Sequence, residues 1–96
     1  MRVMAKITMP TAPGNRAISD GTIGKLMQGA ADRWHPEAMY FTTFDGQRTA
    51  YMVFDMADAS DMPPFAEPFF EGLEADVAIA PVMNVQDLQK GLSQLG

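Results

Sequence analysis

Along residues 36–56, PEAMYFTTFDGQRTAYMVFDM, two runs rich in aromatic and β-branched residues flank Asp45-Gly46. A two-residue type I′ turn needs positive φ at both central positions, and Asp-Gly meets that need, so the stretch predicts a β-hairpin. With the turn there, Phe44 pairs with Gln47, Thr42 with Thr49, Phe41 with Ala50, Tyr40 with Tyr51 and Met39 with Met52. One face of the hairpin then carries Met39, Phe41, Ala50, Met52 and Phe54, apolar until Thr43 and Arg48 near the turn. The other carries Ala38, Tyr40, Thr42, Thr49, Tyr51 and Val53. Neither face suits contact with water.

Residues 2–9 also alternate, with Val3, Ala5, Ile7 and Met9 on one side and Met4, Lys6 and Thr8 on the other, which predicts a strand ended by Pro10 and Pro13-Gly14. Asn15 is then the N-cap of a helix over residues 16–33, where Ile18, Ile23, Leu26, Met27, Ala30 and Trp34 recur near helical spacing. Gly21, Gly24 and Gly29 weaken that helix, and a break is expected near Asp20-Gly21. Pro36 closes it by pushing His35 out of the α region. After the hairpin, residues 58–62 form a loop in which Ser60 or Asp61 caps a helix opening at Pro63-Pro64. Pro68 should keep that helix, residues 63–71, short or kinked, with Phe65, Phe69 and Phe70 inward and Gly72 as its terminator. Residues 75–82 read as a fourth strand, with Pro81 marking a sheet edge or strand end. Asn84 caps a last helix whose apolar stripe is Val85, Leu88, Leu92 and Leu95, with Asp87 at N3.

The order β-α-β-β-α-β plus a terminal helix predicts an α+β, ferredoxin-like domain over residues 1–96, a four-stranded antiparallel sheet with its helices on one face. The other face is left bare. Met4, Tyr40, Phe44, Tyr51 and Val53 would lie on it, and two such sheets packed face to face as a homodimer would bury them. The terminal stripe also needs a surface, either on its own domain or on the partner.

Composition restricts the partners. A formal charge of −5 argues against nucleic acid and anionic membranes, which are held by clustered Lys and Arg, and residues 49–89 contain no Lys or Arg at all. No apolar run reaches membrane-spanning length, and Arg2 and Lys6 interrupt any signal-peptide pattern, so a soluble cytoplasmic protein is expected. The absence of cysteine removes thiol catalysis and thiolate metal sites.

The segments YFTTFDGQRTAYMVFDM, MPPFAEPFF from residue 62 to 70 and APVMN from residue 80 to 84, followed by Asp87-Leu88, resemble a family of small uncharacterised bacterial proteins. That family is similar in turn to the dimeric α+β barrel superfamily, which includes antibiotic-biosynthesis monooxygenases, muconolactone isomerases and stress-responsive barrel proteins. The resemblance implies the fold and a homodimer. It carries no catalytic motif, and the superfamily hosts enzymes and non-enzymes alike.

Candidate chemistry is sparse. His35, the only histidine, sits at a helix end, where the helix dipole alone favours it, and it has no paired His or Cys for a metal site. Asp55, Asp58 and Asp61 recur every third residue, whereas a calcium loop needs ligands at every second position and a central Gly, so no metal is expected. Nine methionines suggest an adaptable interior. The best constellation lies on the bare face: Lys6, Thr8, Tyr40, Thr42, Thr49 and Tyr51 would line the space between two sheets. One ammonium among phenols and hydroxyls suits a small anionic or aromatic ligand, without a cofactor. Two readings follow: a dimeric small-molecule-binding or structural protein, or a cofactor-independent monooxygenase or isomerase acting on a small, partly aromatic substrate. Lys6 also needs compensation when buried, and Asp55, Asp76, water or a bound anion are the options.

Overall fold

The computed structural model describes residues 1–96. Strand β1 (Arg2–Met9) leads into helices α1 (Thr11–Ser19) and α2 (Thr22–Trp34), then strands β2 (Ala38–Phe44) and β3 (Gln47–Asp55). A 3-10 turn, Ala59–Asp61, precedes α3 (Met62–Leu73), β4 (Asp76–Pro81) and α4 (Val85–Ser93). The sheet order is β2-β3-β1-β4 and every pairing is antiparallel, an arrangement compatible with the ferredoxin-like architecture. No helix is long and apolar enough to cross a membrane.

The hairpin register is the one the turn chemistry dictates, from Phe44 opposite Gln47 to Met39 opposite Met52. Asp45 and Gly46 take φ of 52° and 76°, both in the left-handed region that a type I′ turn requires. Under the helices lie Val3, Ala5, Ile7 and Met9 from β1 with Ala50, Met52 and Phe54 from β3, all buried. Phe65, Phe69 and Leu73 of α3 complete the centre of the core. Phe65 stacks on Phe54 at 4.7 Å and meets Trp34 and Phe69 at 5.8 and 5.5 Å, so one aromatic cluster joins β3, α2 and α3. Phe41 shares this face of the sheet, yet it is exposed because it lies beyond the cover of the helices on edge strand β2.

Several helix boundaries differ from expectation. The first helix begins at Thr11, not after Asn15, with Pro10 in the N-cap position. Pro13 falls in its first turn, where a backbone N–H has no intrahelical acceptor, so proline costs nothing there. Asn15 lies inside α1 and accepts a hydrogen bond from the Arg48 guanidinium at 2.9 Å. The break at Asp20-Gly21 is present, with Gly21 at φ 79°. Asp61 occupies the N-cap position of α3, as one of the two expected caps, though without a side-chain cap bond, and Asp58 caps the 3-10 turn before it. Its carboxylate accepts from the Ser60 N–H at 3.0 Å, and its own N–H donates to the Asp61 carboxylate at 3.3 Å. Hydrogen bonds from the Ser60 side chain and backbone hold the Asp58 carboxyl below its ordinary pKa. These contacts give Asp58 and Asp61 a structural role.

Helix α3 runs through Pro68 and past Gly72. An interior proline costs about 3 kcal/mol, whereas burying Phe65, Phe69 and Leu73 contributes about 1.5–3 kcal/mol for each side chain, so packing prevails. Gly72 serves close approach instead of termination, since a Cβ there would stand 2.7 Å from Leu26 Cδ1 on α2. Glu74, at φ 51°, ends the helix.

His35 ends α2 in the same left-handed conformation, at φ 47° and ψ 57°, and its side chain is exposed. That conformation costs a non-glycine residue about 1–2 kcal/mol. His35→Gly is therefore expected to raise stability by about 1 kcal/mol, read as an increase of about 4–8 °C in Tm. An unchanged or lower Tm would mean that the imidazole makes a stabilising contact.

The terminal helix stands apart. Asn84 and Asp87 form the expected capping box, with the Asp87 N–H donating to Asn84 at 2.8 Å and the Asn84 N–H donating to Asp87 at 3.1 Å. All nine residues of α4 are exposed. Its ties to the body are the Arg2 guanidinium on Asp87 at 3.2 Å and the Val82 N–H donating to the Arg2 carbonyl at 3.1 Å. The molecule is accordingly elongated, 54 × 27 × 18 Å.

Candidate functional site

The sheet face opposite the helices is uncovered, and its side chains form rungs that cross all the strands. In the order β2-β3-β1-β4, one rung is Thr42, Thr49, Thr8 and Asp76, and the next is Tyr40, Tyr51, Lys6 and Ala78. The strand alternation thus brings all six candidate residues onto two adjacent rungs. A third rung, Ala38, Val53, Met4 and Ala80, continues the surface with apolar groups only. Tyr40, Phe44 and Met4 are 71%, 43% and 36% exposed, large fractions for side chains of this kind.

Lys6 is not compensated by a carboxylate. Its ammonium lies 3.1 Å from the centroid of the Phe44 ring, a cation–π contact of about 0.5–2 kcal/mol depending on desolvation. Lys6 is on β1 opposite Tyr51, and Phe44 is on β2 opposite Gln47, so the contact passes diagonally over the intervening strand at Thr49. That bridge explains why Thr49 is only 1% exposed on a face otherwise open. The Thr49 hydroxyl donates to the Gln47 carbonyl at 3.1 Å. Thr49 therefore supports the site from beneath and is not a lining residue, contrary to the expectation from strand alternation.

Beside the bridge is a recess of about 320 Å³, bounded by Lys6 and Thr8 on one side and by Phe44, Asp45, Gln47 and Asp76 around its rim. Tyr40, Thr42 and Tyr51 lie outside it. Asp45, Gln47 and Asp76 join the site without having been among the candidates that alternation alone selects. Asp76 is nonetheless legible in the sequence, because the parity of β4 that turns Val77 and Ile79 to the core turns Asp76 to the other face. Asp45 is masked by its role in the turn. The recess thus holds one ammonium, two carboxylates, a hydroxyl and an amide. Such a set offers a donor to an anionic or carbonyl oxygen and acceptors to hydroxyl or amine protons.

No family model matches the chain, and no curated protein matches it.

Proposed function

We propose that the chain is a homodimer of the dimeric α+β barrel kind, its two bare sheet faces packed together, and that it binds a small polar molecule in the recess beside Lys6. The observation that carries this reading is the uncovered face itself, where Met4, Tyr40, Tyr51 and Val53 form an apolar and aromatic surface on two adjacent rungs, with Phe44 beyond a rung of threonines and no helix over them. Four strands about 4.8 Å apart and about eight residues long make a face of roughly 500 Å² in plan. Two such faces approach the ~1,200 Å² at which specific interfaces begin, and the apolar stripe of α4 supplies further area when it packs on the partner.

The dimer turns an open recess into an enclosed one, where hydrogen bonds to ligand are strengthened by exclusion of water. The presence of Asp45 and Asp76 beside Lys6 narrows the ligand from a simple anion to a molecule carrying both an acceptor and donors, a hydroxy acid or an amino acid. The Lys6 ammonium rests on Phe44 and not on a phenol, which favours binding over proton transfer and turnover.

Lys6→Met tests the site separately from the dimer. The thioether keeps the stem's volume and its contact with Phe44, so the variant should fold and sediment as the unmodified protein does. Amide shifts of Lys6, Thr8 and Asp76 on titration with L-lactate or L-serine are expected in the unmodified protein and absent in the variant. Identical titrations would remove Lys6 from the site, and unfolding of the variant would assign the residue a structural role instead.

A further inference from the structure

The helical layer, on the opposite side of the sheet from Lys6, contains a second recess, about 210 Å³ in volume, between α2 and α3. Lys25, Gly29 and Arg33 fall at i, i+4 and i+8 of α2 and so share one face, with the two cations about 12 Å apart along the helix axis. Gly29 leaves a notch between them: a Cβ built at this position meets no atom within 4 Å. Pro64 and Pro68, at i and i+4 of α3, form the opposing wall. The floor is the aromatic cluster of Trp34, Phe65 and Phe69. An apolar slot is thus bounded at both ends by positive charge.

Neither cation is committed to a carboxylate. The ion pairs of the molecule engage Arg2, Arg16 and the N-terminal amine; Arg33 and Lys25 form none, and Lys25 acts only through space on the Asp20 carboxylate, in a chain whose net charge is −5. The Arg33 guanidinium lies over the Trp34 ring, 4.9 Å from its centroid. Stacking of this kind restrains the group while leaving its N–H edge available to a planar anion.

We propose that this slot binds a small aromatic carboxylate, the ring seated between Gly29 and the two prolines and the carboxylate held by Arg33 at one end, with Lys25 adding positive potential from the other. Aromatic rings below and proline rings opposite favour a flat apolar body over a branched one. The volume limits that body to one ring or two fused rings. The cations select the anion, since burial of the ring brings its charged group to an end of the slot, and both ends are positive.

Trp34 is the only tryptophan, so its fluorescence reports directly on occupancy. Titration of the full chain with phenylacetate should change the Trp34 emission saturably, and 2-phenylethanol, its uncharged counterpart, should bind at least about 10-fold more weakly. Gly29→Met fills the notch and should abolish the saturable change. Its Tm should equal or exceed that of the unmodified chain, because a better helix former replaces glycine and its Cβ meets no atom. The Lys25→Gln/Arg33→Gln double variant should reduce phenylacetate to the level of phenylethanol. The proposal is overturned by the absence of a saturable change in the unmodified protein, by equal binding of the two probes, or by a Gly29→Met variant that titrates normally.

Discussion

Phe65→Ala is expected to lower stability by about 3–5 kcal/mol, the cost of emptying a large aromatic site that cannot collapse. The side chain is buried, and its ring touches Phe54, Trp34 and Phe69. No neighbour can fill the void without breaking another of these contacts, because Phe54 belongs to a central strand and Trp34 and Phe69 to different helices. Domains of this size hold about 5–15 kcal/mol in total, so the variant would stand near its unfolding midpoint at ordinary temperature. Urea unfolding at one fixed protein concentration measures the loss, since association would otherwise contribute its own term. A loss below about 1 kcal/mol would mean that the aromatic cluster is not the centre of the core.

The second large effect is on assembly. Met4 and Tyr40 are both exposed in the single chain and both lie on the bare sheet face, so Met4→Glu/Tyr40→Glu leaves the chain's own core untouched. In a two-fold dimer each substitution occurs twice, placing four carboxylates in an interface that would have to desolvate them without partners. The dissociation constant should rise by at least about 1,000-fold, equivalent to ~4 kcal/mol, while the circular dichroism spectrum stays the same. Persistence of a dimer would move the interface elsewhere. Loss of the dimer in a Leu88→Glu/Leu92→Glu variant alone would place it on α4.

What the sequence makes legible here is whatever depends on local geometry. Asp45-Gly46 admits few turns, and once the turn is set the hairpin register follows residue by residue, which is how turn chemistry alone places Tyr40 and Tyr51 on one face. The strand parity of Lys6 is equally legible. Its contact is not, because the diagonal to Phe44 exists only when β1 pairs with β3, 38 positions of chain away at Phe44. The same long-range contact buries Thr49, a residue whose alternation alone predicts access to the open face. Pro13, Pro68 and Gly72 mislead in a common way. Each is a helix breaker by propensity, yet Pro13 lies where no donor is needed, Pro68 is overridden by the burial of its neighbours, and Gly72 lets Leu26 approach. The slot between α2 and α3 requires both walls to be seen together, since Lys25, Gly29 and Arg33 on their own form only one solvated helix face.

Whether the proposed interface between two copies lies on the bare sheet face is decided by sedimentation equilibrium of the unmodified chain at micromolar concentration. A mass twice that of the 10.5 kDa chain, falling to the single-chain mass in Met4→Glu/Tyr40→Glu, is the predicted result. A single-chain mass for the unmodified protein at that concentration would contradict it, and with it the enclosed recess beside Lys6.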